Sequence, residues 1–192
     1  MACLGLHLAL TDEEARGLLS LQSDDDIVNR IHELEEQYVP DDGEPEWSYA
    51  SEKAWDAIHR CMSGGSLRSG EGPLAKLVKA WGVIRSCTTG GSLRIGEGPL
   101  AKLVLGGRQL HQGDEYIVSA ITPAEAMEAA AAAYKIDKPD MKQRYDRMAP
   151  DYQKELVSID DFEYTWQHFQ SLREFLDRAG RSGRWVVFSV DQ

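Results

Sequence analysis

Residues Lys53–Val104 are one 26-residue unit written twice, and no other feature constrains the chain so tightly. Lys53–Val78 reads KAWDAIHRCMSGGSLRSGEGPLAKLV, Lys79–Val104 reads KAWGVIRSCTTGGSLRIGEGPLAKLV, and 19 of the 26 positions are identical. Convergence on a shared fold keeps residue types, not runs such as GEGPLAKLV letter for letter, so the pair is a tandem duplication. Two units fall short of the three or more that a solenoid needs. The flanking chain reads as a complete domain that requires one unit. The expectation is therefore a single domain over 1–192, with 53–78 or 79–104 packed in the core and the other copy acting as an insertion.

The flanks alternate strand and helix signals. Over residues 2–10, Ala2, Leu4, Leu6, Leu8 and Leu10 share one face of a strand, and Cys3, Gly5, His7 and Ala9 the other, whose small residues admit a close neighbour. Thr11 with Glu14, and Thr122 with Glu125, form capping boxes that start two helices. The second, Ala124–Tyr134, is mostly alanine and is expected to lie close on a sheet. Ser23, ahead of three aspartates, is read as the cap of a helix with Ile27, Ile31, Leu34 and Tyr38 inward. That acidic loop lacks the ligand spacing of a Ca²⁺ site.

Ser51 is read as the cap of a short helix burying Trp55, Ile58, Cys61 and Met62. Leu74, Leu77, Val78, Trp81, Ile84 and Cys87 keep a helical period across the copy junction. In Glu115–Ile121, Tyr116, Val118 and Ala120 face one side, Ile117, Ser119 and Ile121 the other. A long helix follows from Asp160/Asp161 to a C-cap at Gly180. Arg184–Val190, apolar on both faces, predicts an interior strand. Together these imply an α/β fold bordering on α+β: a small mixed sheet with helices packed around it.

Several stretches, in this order, resemble the YfbM-like family of bacterial proteins, whose biochemical role is not established. They are MACLGLHLAL at the start, KAWDAIH at 53–59, GPLAKLVLGG at 98–107, DEYIVSAITPAEA at 114–126 and HFQSLREFLDRAGRSGRWVVF at 168–188. The resemblance implies a single domain with a sheet between helices and brings no catalytic residues. Through it, the first half of the pattern fits copy one and the second half fits copy two.

Motifs that carry chemistry are sparse. Asp56 and His59, three apart beside Trp55, are spaced to meet on a helix as a carboxylate–imidazole pair; a helix-surface pair is the simpler account. A hydrolase using them would place both in a cleft beside Trp55, faced by Tyr116, so Trp55, His59 and Tyr116 are the candidate binding residues. The glycine loops, with Arg68, Glu71, Arg94 and Glu97, lack the Gly-Lys-Ser/Thr ending of a phosphate loop. His59 and Cys61 are the one close ligand pair, with no metal motif around them, and no cofactor is expected.

The formal charge of −11 disfavours nucleic acid and anionic membranes and suits a basic protein partner. Three cysteines, two of them the same repeat position, point to a reducing compartment. The apolar opening has neither the basic flank of a signal peptide nor the length of a span. The reading is a non-enzymatic, acidic, cytoplasmic binding protein that engages, and could neutralise, a basic partner; the alternative is the Asp56/His59 hydrolase.

Overall fold

The computed structural model describes residues 4–39, 45–63, 98–112, 116–148 and 159–191. The strands are β1 (Gly5–Leu10), β2 (Ser48–Glu52), β3 (Arg108–Gln112), β4 (Tyr116–Ile121) and β5 (Trp185–Asp191). The helices are α1 (Asp12–Leu19), α2 (Asp24–Tyr38), α3 (Ala54–Met62), α4 (Pro123–Ala133), α5 (Lys138–Asp146) and α6 (Ile159–Arg181), with a 3₁₀ turn at Pro99–Leu103. The sheet runs β2-β1-β5-β4-β3, and every neighbouring pair is antiparallel. The fold is thus α+β, and the sheet is antiparallel where a mixed one was expected. Strand signals carry no direction, and the long α4–α6 connection returns β5 beside β4 without a parallel crossover.

Side-chain parity in the strands builds three layers. Leu8, Leu10, Val118, Ala120 and Val187 pack beneath α1 and α2. Ala9, Ile117, Ile121, Val186, Phe188 and Val190 pack with α3, α4, α6 and the 3₁₀ turn on the other face. The small face of β1 serves the close approach read from the sequence. A Cβ on Gly5 would lie 2.8 Å from Trp55 Cδ1 and 2.9 Å from Phe188 Cε2. β5, flanked on both sides, is the interior strand its composition predicts.

Both capping boxes form: Thr11 Oγ1 accepts the Glu14 N–H while Glu14 accepts from the Thr11 N–H, and Thr122 with Glu125 does the same. Other expectations are corrected. Ser23 occupies the N-cap of α2 but makes no side-chain cap bond; the three aspartates behind it complement the helix end electrostatically instead. Ser51 is not a cap. It lies buried in β2, donating to the Gly5 carbonyl at 3.0 Å. The alanine face of α4 packs chiefly on α6 and the 3₁₀ turn. Gly180 is where the two helices meet, since a Cβ there would come 2.5 Å from Met127 Cγ. The C-terminal stop of α6 is Gly183, at φ 69. Its N–H bonds the Gly180 carbonyl, and the Arg184 N–H bonds that of Ala179, a Schellman closure.

The described parts of the duplicated region come from both copies. The head of copy one forms α3 and the tail of copy two forms the 3₁₀ turn, and both lie in the same core. The junction helix expected over Leu74–Cys87 and both glycine loops lie outside the described residues.

Candidate functional site

All nine residues of α3 are buried, including Asp56, His59 and Arg60. Trp55 packs tilted on Phe188 at 5.8 Å between ring centroids. Asp56 does not turn to His59; Oδ1 accepts from Arg60 Nε at 2.7 Å. One turn of helix aligns i with i+4, and a guanidinium, which is always charged and forked, is a stronger partner for a carboxylate than an imidazole. Burial pushes the Asp56 carboxyl above its usual range, against the opposing pull of Arg60. His59 is 1% exposed. Burial also pushes the Cys61 thiol up to about 12, the direction that favours the protonated thiol over the thiolate. This cluster is a buried ion pair in a closed core layer, and general acid–base chemistry needs a group a substrate can reach.

Tyr116 stands on the other face of the sheet from Trp55. It packs in the α1/α2 layer, where its hydroxyl donates to Glu35 Oε2 at 3.2 Å. The second oxygen of Glu35 accepts from buried Ser189 at 2.6 Å, and His32 sits edge-on to the Tyr116 ring at 5.0 Å. Strand parity separates the candidates: Tyr116 is an even step from Val118 and Ala120, so it cannot share a face with α3.

A second polar cluster gathers where β2 meets α6, and sequence reasoning missed it. Tyr49 Oη lies 2.7 Å from His168 Nδ1. Tyr164 donates to Glu52 Oε2 at 2.8 Å, and its ring meets His168 edge-on at 4.5 Å. Glu52 is the one non-glycine residue with positive φ among those described, at 47°, a conformation that costs a bulky residue energy and invites a functional question. Burial holds His168 below the usual imidazole value, with Glu52 pulling the other way. Burial, then the Glu52 contact, pushes the Tyr164 phenol up to about 12. The cluster is therefore a neutral imidazole and protonated phenols around one carboxylate, able to donate and accept hydrogen bonds. Tyr164 and His168, four apart on the long helix, were a legible signal; Tyr49 and Glu52 lie on a strand too short and polar to read.

Behind that cluster His7 is wholly buried. Its ring lies 4.8 Å from Phe188, and its Nε2 is 3.2 Å from Ser51 Oγ. Ser51 spends its proton on the Gly5 carbonyl, so Nε2 carries the imidazole hydrogen and Nδ1 is left without a partner.

The largest electrostatic feature is the α1/α2 layer. Residues 11–39 carry nine carboxylates against Arg16 and Arg30, a net −7 of the chain's −11. Asp12, Glu13, Asp24, Asp25, Asp26, Glu33 and Glu36 are exposed. On the opposite side of the sheet, Lys135–Arg147 holds five basic and three acidic residues. Among the described residues no group of three or more His, Cys, Asp or Glu could hold a metal ion, and no helix is long and apolar enough to cross a membrane.

The three-layer α+β architecture and its sequence define the class. The pattern of the family described as "Domain of unknown function (DUF1877)" matches residues 1–78 and 76–189, and the chain belongs to that family. The two matches meet at the end of copy one, where the duplication divides the pattern. The fold is similar to that of YfbM, a protein of unknown function from Escherichia coli whose crystal structure is known. The TM-score is 0.60 at 15% identity, covering 97% of this chain and 99% of that one. No curated protein matches.

Proposed function

We propose that this protein is a non-enzymatic, cytoplasmic binding protein that engages a basic protein partner through its α1/α2 layer. The observation that carries the reading is charge segregation: most of the net negative charge stands on one layer of a three-layer fold. Such a face attracts a cationic partner over about a Debye length, ~8 Å at physiological salt, and raises its association rate more than its final affinity. The layer is rigidly held. Glu14 is fixed by Thr11 and by the Tyr38 hydroxyl at 2.7 Å, and Glu35 ties α2 to β4 and β5. An unpaired, buried Cys61 suits a reducing compartment.

The test compares two charge-reversed variants for binding to immobilised oligolysine and to partners crosslinked in lysate. One is Asp24→Lys/Asp25→Lys/Asp26→Lys; the control, Glu128→Lys/Asp140→Lys/Glu174→Lys, alters exposed carboxylates outside the layer. The reading expects the first variant to lose binding, on-rate first, and the control to retain it. Equal loss from both would reduce the effect to net charge and end the proposal.

A further inference from the structure

The 3₁₀ turn Pro99–Leu103 sits in a seat that two segments of the chain are equipped to fill. Ala101, Leu103 and Val104 are buried in the core. Lys102 Nζ lies 2.9 Å from Glu125, and the Val104 carbonyl accepts from Ser119 Oγ at 3.1 Å. Ala75, Lys76, Leu77 and Val78 offer the same groups in the same order, because GEGPLAKLV occurs at 70–78 and again at 96–104. Contacts within the seat therefore cannot choose between copies.

The residues that follow can. Leu105 is buried at 1% exposure. The Gly106 N–H bonds the Ala101 carbonyl at 2.8 Å, and a Cβ on Gly106 would stand 2.5 Å from the Ala101 carbonyl carbon. Gly107 has φ 107, with room for no Cβ beside Ile121 Cγ2 at 2.5 Å. After copy one the chain continues Lys79-Ala80-Trp81. That continuation would put an ammonium in an apolar site, a methyl into backbone, and a tryptophan at a left-handed φ.

We propose that Leu105-Gly106-Gly107 is the register lock of this fold: Pro73–Val78 enters the seat first during folding, and Pro99–Val104 displaces it because only that copy leads into the lock. Nine residues (64–72) separate Ser63 from Pro73, and 35 (64–98) separate it from Pro99. With closure falling as about the three-halves power of length, the nearer copy arrives on the order of eight-fold more often. A seated wrong copy has to leave before the right one enters, which makes the exchange slow.

Refolding of the full chain, followed by far-ultraviolet circular dichroism, tests this. The parent should refold in two phases, the slower carrying most of the amplitude, accelerated by low denaturant and indifferent to a prolyl isomerase. Leu77→Asp alters the competing copy and leaves Pro99–Val104 intact, and should remove the slow phase. Lys79→Leu/Ala80→Gly/Trp81→Gly gives copy one a lock of its own and should slow the exchange or leave two folded forms. A slow phase that persists in Leu77→Asp, or that an isomerase abolishes, would overturn the proposal.

Discussion

His7 makes stability depend on pH in a way that can be isolated by one substitution. Its ring is enclosed by Phe188, Tyr49 and Phe175, and burial alone lowers its pKa from 6.5 to about 3. A second proton would sit on Nδ1, which has no acceptor. The folded-state value is depressed, so the contribution is complete above about pH 6.5 and is lost as pH falls towards 3. Between those limits the unfolded chain takes up a proton that the native state refuses, and stability falls by ~1.4 kcal/mol per pH unit, or ~2 kcal/mol at pH 5 and ~3 kcal/mol at pH 4.

Urea unfolding at pH 7.5, 6, 5 and 4.5, for the parent and His7→Leu, measures this directly. Leucine matches the volume and does not titrate. At pH 7.5 the variant is expected within ~1.5 kcal/mol of the parent, the loss of one bond to Ser51 being offset by an apolar ring pocket. By pH 5 the difference between them should have moved by ~2 kcal/mol in favour of the variant. Carboxylates held low, such as Glu14 and Glu125, and the depressed His168 weaken both proteins alike and cancel in the difference. Parallel pH profiles for parent and variant would refute the argument, because they would mean His7 takes a proton in the native state.

Two further perturbations follow from α3 and the duplication. Deleting 79–104 restores every described residue type and shortens the connection from 34 residues to eight, so it should stabilise by about 1 kcal/mol. Deleting 53–78 instead puts Val83, Arg85 and Thr88 into the closed seats of Ala57, His59 and Met62. That should cost about 4 kcal/mol or more, and equal urea midpoints for the two deletions would contradict the assignment of α3. Arg60→Met strands the Asp56 carboxyl and should cost ~3 kcal/mol, while Asp56→Leu/Arg60→Met should recover most of it; a double-mutant cycle with no coupling would remove the pair from the core.

What was legible in the sequence was whatever is written in short-range grammar. Thr11 with Glu14 and Thr122 with Glu125 form the bonds their spacing implies, and the alternation of Leu6–Leu10 and Tyr116–Ile121 assigns each residue its face. β2 and β3 were not legible. SYASE and RQLHQ are edge strands of five residues, polar because an edge faces water, and edge strands lack the apolar run that marks interior ones. Missing β2 turned Ser51 into a helix cap and hid Tyr49 and Glu52. Helix spacing alone left Asp56 a choice between His59 and Arg60, and the charge of the guanidinium decides it.

The same distinction explains why the duplication could not be assigned from letters. Where the copies are identical, in GEGPLAKLV, the sequence carries no preference, and where they differ, chiefly in the α3 half, the differences bear on burial that only the fold reveals. Copy one is held to α3 by covalent continuity with β2, and copy two is held to the 3₁₀ turn by continuity with Leu105-Gly106-Gly107 and β3. Membership of the core is therefore set by what each segment is joined to. A hybrid of the two units is the arrangement that keeps α3 continuous with β2 and meets no clash at Gly106 and Gly107.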